Sequence, residues 1–376
     1  MELKKKILLV QLYSNGDCLY ATTVARQIKT DYPDCHLIWG IASFCKTIIA
    51  NNPYVDEILP VDGVAKNDAP ALRRFKKFIF LQKQKGIYDE VFFIHNGDTN
   101  QAYYDGSIRS SILRAYGKPI TVPFIPVLQL QQEEILKAKQ FAEDHHLATF
   151  NEVVLFEYAP QSGQSTITKE IALSIAEKIV KHTNTAIILS SANKIKHTNK
   201  SIIDGSILSI RETAALTHYC SFLLGTSSGI TWISTSNAAK LLPMVQLFNP
   251  DTRFENPISR DFQRFGLNTD KVIELLKLDE KIIVDCVHLA LQDFAAAKIK
   301  YNQTIPLHFK TTRNIVYNLL CYGELKAIAT HVKVNNEVYG NNVSFYKELI
   351  AGFVTFPFKL LKNLFTKRFL KSYYVI

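Results

Sequence analysis

The chain has 376 residues, enough for two domains at roughly 100–200 residues each, with an apolar share ordinary for a globular protein. Its formal charge of +10 suits nucleic acid, a membrane surface or phosphorylated substrates. No RNA-binding signature or zinc-finger spacing accompanies the basic stretches, which weighs against nucleic acid, and no run of about 18 uncharged apolar residues offers a spanning helix.

The elements alternate along the chain. ILLVQL (7–12) reads as a buried strand, 18–31 as a helix stopped at Tyr32-Pro33-Asp34, and HLIWGIA (36–42) as a second strand. A short helix at Phe44 to Ala50, a turn at Asn51-Asn52-Pro53 and a strand EILPVD (57–62) follow. Ala71 to Lys85 is a basic helix and EVFFIHN (90–96) a fourth strand. Residues 119–151 read as a connection. A second series then begins: strand 152–160, helix 169–181, strand 185–192, strand SILSI (206–210), helix 211–219, strand 221–229, helix 230–238 and strand 244–248. Strand–helix alternation in both series predicts an α/β protein with parallel sheets covered on both faces. Lysines 4–6 precede only a short apolar run, so no export signal is expected, and six cysteines without a CxxC read as reduced cytosolic thiols.

Three turns attract chemistry. Ser14-Asn15-Gly16-Asp17 follows the first strand, where the carboxyl edge of a parallel sheet opens a ligand crevice. Asp17 is either a ligand-facing carboxylate or the N-cap of helix 18–31. Gln161-Ser162-Gly163-Gln164-Ser165-Thr166 and Gly225-Thr226-Ser227-Ser228-Gly229 each join a strand to a helix start. There, small residues and backbone N–H groups suit phosphate, though a capped loop or a tight turn would have the same composition. Cys18 has no neighbouring His in sequence and reads as a buried thiol. His145-His146 has no matching carboxylate spacing, so no metal is assigned. Arg253, Arg260 and Arg264 read as a solvated basic face, and Arg211-Glu212 as a plain helix start.

The stretch from Lys6 to Asp62 carries Gly16-Asp17, Tyr32-Pro33, Trp39 and Asn52-Pro53-Tyr54-Val55-Asp56 in order. It resembles the N-terminal half of glycosyltransferase family 9, the lipopolysaccharide heptosyltransferases. SIRETAALTHYCSFLLGTSSGITWISTSNAAKLLPMVQLFNP is similar to that family's C-terminal segment, and together the similarity covers residues 5 to about 255. The resemblance implies a GT-B fold of two Rossmann-like domains facing a cleft: 1–150 for the acceptor and 151–300 for the donor. A basic helical extension over 301–376 would follow. It also implies inverting, metal-independent transfer from a nucleotide-sugar, without a cofactor, to a lipid-linked or polysaccharide acceptor. Asp17 is then the general base, with Ser14, Asn15 and Gly16 in the acceptor turn. Gln161, Ser162, Gln164, Ser165, Leu208, Thr226, Ser227, Ser228 and Gly229 would meet the donor. Where the family carries a loop lysine, Gln164 stands nearest and Lys169 comes later; Ser227 and Trp232 replace a usual Asp and His.

Residues 349–376 hold five Lys/Arg and no acid, mixed with aromatics. As a helix from Pro357 they place Phe358, Leu361, Leu364 and Phe365 together, which suits an anionic membrane surface, against the alternative of a helix packed back on the domains. A peripheral enzyme of glycan assembly at the cytoplasmic face of a bacterial inner membrane is the expectation. A catalytically inactive nucleotide-sugar-binding scaffold and a sugar-nucleotide epimerase are the alternatives.

Overall fold

The chain opens on β1 (Lys6–Val10), whose residues from Ile7 onward are fully buried. A continuous apolar run of this kind is what a strand covered on both faces requires. In the computed structural model the described residues are 4–66, 68–159, 165–181, 183–249, 257–276, 278–305 and 307–365. After β1 come α1 (Asn15–Asp31), β2 (His36–Ala42), a 3-10 segment (Ser43–Ile49), β3 (Glu57–Val61), α2 (Ala69–Gln84), β4 (Glu90–Phe93) and α3 (Ile108–Arg114). The four strands form one parallel sheet in the order β3-β2-β1-β4. The indole N–H of fully buried Trp39 on β2 donates to the Gln11 carbonyl at 3.1 Å, pinning the chain just beyond β1. Asp56 accepts from Lys29 Nζ at 2.5 Å and from the Leu37 N–H at 2.6 Å, tying α1 and β2 to the start of β3.

The second series comprises α4 (Gln132–Asp144), β5 (Glu152–Glu157), α5 (Lys169–Val180), β6 (Thr185–Ser190), β7 (Ile202–Asp204), α6 (Ile210–Leu216), β8 (Phe222–Gly225) and α7 (Gly229–Ile233). It continues through β9 (Met244–Leu247), α8 (Ile258–Arg264), β10 (Val272–Leu275), α9 (Glu280–Gln292) and α10 (Phe294–Tyr301). Its six strands are all parallel, in the order β10-β9-β8-β5-β6-β7. Val154, Phe156, Ile187, Leu189, Leu224 and Val245 form the sheet side of the core, met by Ile175 and Ile179 of α5 and Ile283 and Val287 of α9.

Three further helices close the chain: α11 (Lys310–Cys321), α12 (Leu325–Tyr339) and α13 (Val343–Phe365). They belong to the first compact unit, Met1–Pro123 with Leu307–Ile376, while Phe124–Pro306 is the second. Polar clamps bind α11 and α12 to the segment after β4. Asn318 Nδ2 donates to Gln101 Oε1 at 3.1 Å, Asn335 Nδ2 to the Tyr104 carbonyl at 3.1 Å, and the Tyr339 hydroxyl to the Asp105 carbonyl at 2.5 Å. Arg73 of α2 pairs with Asp98 at 2.6 Å and Glu324 at 3.1 Å, and its guanidinium lies 3.6 Å from the Tyr322 ring centroid.

Several elements differ from the sequence expectation. The compact units divide at 123–124 and 306–307 rather than at 150 and 300, and the helices after 306 are part of the first unit. The connection contains α4, which joins the second unit through Arg211. That residue is buried, with Glu134 at 2.5 and 2.7 Å and the Gln129 carbonyl at 2.5 Å, so it is an anchor rather than a plain helix start. The edge strand is Ile202–Asp204, not 206–210, because Ser209 and Glu212 form a capping box that begins α6 at Ile210. Helix α13 starts well before Pro357 and carries that proline inside it.

Gly352 sets the distance between α13 and α11. A Cβ there would lie 2.8 Å from Val316 Cβ and 2.9 Å from Val316 Cγ1. Gly352→Ala is therefore expected to lower the urea midpoint, by about 1–3 kcal/mol in stability despite the better helix propensity of alanine.

Candidate functional site

The first site builds from the exit of β1. The chain turns through Ser14 in the left-handed region (φ 70°), a conformation a non-glycine residue adopts only when its surroundings hold it there. Helix α1 begins immediately at Asn15, with Gly16 next and Asp17 in its first turn. The cap position belongs to Ser14, so the N-cap reading of Asp17 is not what the structure shows. The helix dipole nevertheless favours a charge on Asp17. Burial pushes its carboxyl up to about 6, against the attraction of Arg109 and, less strongly, Lys66. Arg109 lies on α3, is buried, and has its guanidinium 5.9 Å from the Tyr20 ring centroid. Beyond the end of β1, Tyr13 meets His95 edge-on at 4.5 Å, and burial lowers His95 to about 3, leaving a neutral imidazole.

The second site lies at the carboxyl edge of the six-stranded sheet. Gly225, Gln246 and Glu274 occupy one register row across β8, β9 and β10, and Glu157 follows the Phe156–Leu224 pair on β5. Gly225 must be glycine, because a Cβ would sit 2.9 Å from Thr231 Oγ1 and 3.0 Å from Gln246 Nε2. The turn above this row is held from below. The Ser227 N–H donates to Gln246 Oε1 at 2.8 Å, with Ser227 itself left-handed (φ 60°), and the Ser228 hydroxyl donates to Glu157 Oε1. Thr226 is buried, and its hydroxyl has no hydrogen-bond partner among the described residues. Gly229 opens α7, where an added Cβ would lie 3.4 Å from Ile210 Cδ1.

Glu157, like Arg109, is an ionisable group that sequence reasoning missed. It is buried, and no ion pair among the described residues includes it. Burial raises its carboxyl to about 7, opposed by hydrogen bonds from the Ser228 hydroxyl and the Ile230 and Thr231 N–H groups. The sequence signal was a single polar residue inside an apolar strand run, VVLFE, repeated as MVQL and VIEL.

The expected donor residues divide. Thr226, Ser227, Ser228 and Gly229 come together in one turn. Ser165 lies at the approach to α5, its Oγ accepting the Ile167 N–H at 3.0 Å. Leu208 is half-exposed, and Ser209 beside it caps α6. Gln161, Ser162 and Gln164 lie outside the described residues, as does Arg253. No group of three His, Cys, Asp or Glu suited to a metal ion occurs among the described residues.

No protein-family model and no curated protein matches the sequence. Solved structures do match in three dimensions. A family 9 glycosyltransferase from Veillonella parvula aligns with a TM-score of 0.51 at 16% identity, covering 81% of this chain and 92% of that one. The ADP-heptose lipopolysaccharide heptosyltransferase II of E. coli aligns with a TM-score of 0.50 at 14% identity, covering 78% and 99%. The fold is that of the family 9 glycosyltransferases. Where the family 9 resemblance gives an Asp and a His, Ser227 ties the turn to Gln246 through its N–H. Trp232 is buried edge-on to Phe262 at 5.8 Å and serves the core.

The Glu157 carboxyl has a stability consequence with a definite sign. Its folded pKa of about 7 lies above the ordinary 4.5, so the unfolded chain loses its proton first as pH rises. Its contribution is most favourable below 4.5 and is lost as pH rises through about 7. Relative to wild type, Glu157→Gln should gain roughly 2–3 kcal/mol in stability between pH 5 and pH 8. Urea unfolding at the two pH values measures this; equal effects at both would remove the buried acid as the cause.

Proposed function

We propose that the protein is an inverting, metal-independent glycosyltransferase that moves a sugar from a nucleotide-sugar to a lipid-linked or cell-surface saccharide. The observation that carries this reading is Asp17, a desolvated carboxyl at the exit of the first strand of a family 9 type fold, with its pKa near 6. An acid tuned to that range is ionised at neutral pH yet basic enough to take a proton from an acceptor hydroxyl as that oxygen attacks the anomeric carbon. Arg109 and Lys66 keep the carboxylate charged in its buried setting. In the second unit, the turn Gly225–Gly229 at the start of α7 is the proposed seat of the donor's diphosphate. The named E. coli neighbour acts on ADP-heptose, which supports a nucleotide-sugar donor here.

We place the protein at the cytoplasmic face of a bacterial inner membrane, peripheral to it. No helix among the described residues is long and apolar enough to cross a membrane. The stripe Val343, Ile350, Val354, Phe358 and Leu361 along α13 is exposed, and Lys359 and Lys362 share that end of the helix. This suits contact with a bilayer surface.

One observation favours a second reading, a nucleotide-sugar-binding protein without turnover. The Ser227 N–H and the Ser228 hydroxyl are already engaged by Gln246 and Glu157. Donor binding and turnover separate the two. Thermal shifts against a panel of nucleotide sugars should identify a stabilising donor under either reading. Under the first, Asp17→Asn should keep that shift and lower turnover by about 10²–10⁴-fold. For wild type, kcat/KM should rise with pH to a plateau, with its midpoint near 6. Arg109→Gln should move that midpoint upward, because the guanidinium holds the carboxyl down. Undiminished turnover in Asp17→Asn would remove Asp17 from the mechanism.

A further inference from the structure

Helix α2 buries Ala71, Leu72 and Ile79 against the first unit and turns a different chemistry outward. Arg74, Lys77, Phe78, Leu81 and Lys85 recur at spacings of three and four, so they share one face. Phe78 is 54% exposed and Leu81 44%, with Ile87 at 50% just past the helix end. The other cations of the helix are neutralised: Arg73 by Asp98 and Glu324, Lys76 by Asp98, Lys83 by Glu90. Arg74, Lys77 and Lys85 have no ion-pair partner among the described residues, and Ala69–Gln84 contains no acid at all.

We infer that the outward face of α2 docks on an anionic lipid bilayer, with Phe78 and Leu81 entering the headgroup layer and Arg74, Lys77 and Lys85 meeting lipid phosphates. Two features select a bilayer. A soluble polyanion would be met by the cations but gives no reason for large apolar side chains between them. A second copy of the chain paired through the same face would oppose uncompensated cations to one another. The geometry also links this face to the base. The loop that leads into α2 carries Lys66, whose charge acts on Asp17, and its Ala65 carbonyl accepts from the Tyr13 hydroxyl at 3.5 Å. Docking through α2 therefore holds the Asp17 turn close to the membrane, where a lipid-linked acceptor would be presented. The docking itself is independent of glycosyl transfer and of the α13 stripe.

The test is flotation of the full chain with vesicles of phosphatidylcholine alone or mixed with phosphatidylglycerol, with no saccharide or nucleotide present. Wild type should float with the anionic vesicles and less so as salt rises. Arg74→Glu with Lys77→Glu, and separately Phe78→Ser with Leu81→Ser, should each weaken partitioning by about tenfold or more while circular dichroism stays that of the wild type. The same substitutions should still weaken binding when Phe358→Ser and Leu361→Ser are already in place. Wild-type flotation by both α2 variants would overturn the inference. So would binding to a soluble sulfated polysaccharide, with no flotation, that depends on the same residues, or α2-dependent dimerisation in sedimentation. A protein that floats as described yet transfers no sugar would leave this inference standing and count only against the enzymatic reading.

Discussion

Every strand pair in both sheets is parallel, and that constraint governs where polar chemistry can appear. Parallel strands joined by crossover helices are covered on both faces, so their interiors admit little but apolar side chains. Backbone and polar groups emerge where strands end. In the first unit that edge carries Gln11, Tyr13, Ser14 and Asp17; in the second it carries Glu157, Thr226 to Gly229 and Gln246. The two proposed halves of the chemistry occupy equivalent places for one geometric reason.

Desolvation raises both carboxyls, with different results. Asp17 has cationic neighbours and a helix start, so it remains an acid of moderate strength despite desolvation. Glu157 has only hydroxyl and backbone donors, and its proton is correspondingly harder to remove. One is suited to exchanging a proton with a substrate. The other is suited to holding a turn in shape, through Ser228 and the start of α7.

The parallel α/β architecture was legible because continuous apolar runs such as ILLV and TAIILS leave few alternatives to buried strands. The 225–229 turn was legible because glycine and small hydroxyl residues punctuate a strand–helix junction. The misplaced edge strand shows where local reading fails. SILSI has strand-like composition, but Ser209 and Glu212 satisfy each other's backbone donors, and that pairing begins a helix instead. Arg211 illustrates the long-range case, since its partner Glu134 lies on α4, inside a stretch that reads as a plain connection. Glu157, despite its polar place in an apolar run, and Arg109 were passed over for a related reason. Their importance comes from groups distant in sequence, Ser228 for Glu157 and Asp17 for Arg109, which the neighbouring letters do not name.

The second unit is inserted within the first, because the chain leaves after Pro123 and returns at Leu307. During synthesis on a ribosome the inserted unit is therefore complete while its host still lacks α11, α12 and α13. Until those helices emerge, Gln101, Tyr104 and Asp105 have none of the clamps that later engage them. The first unit therefore matures after the second, although its strands come before those of the second along the chain.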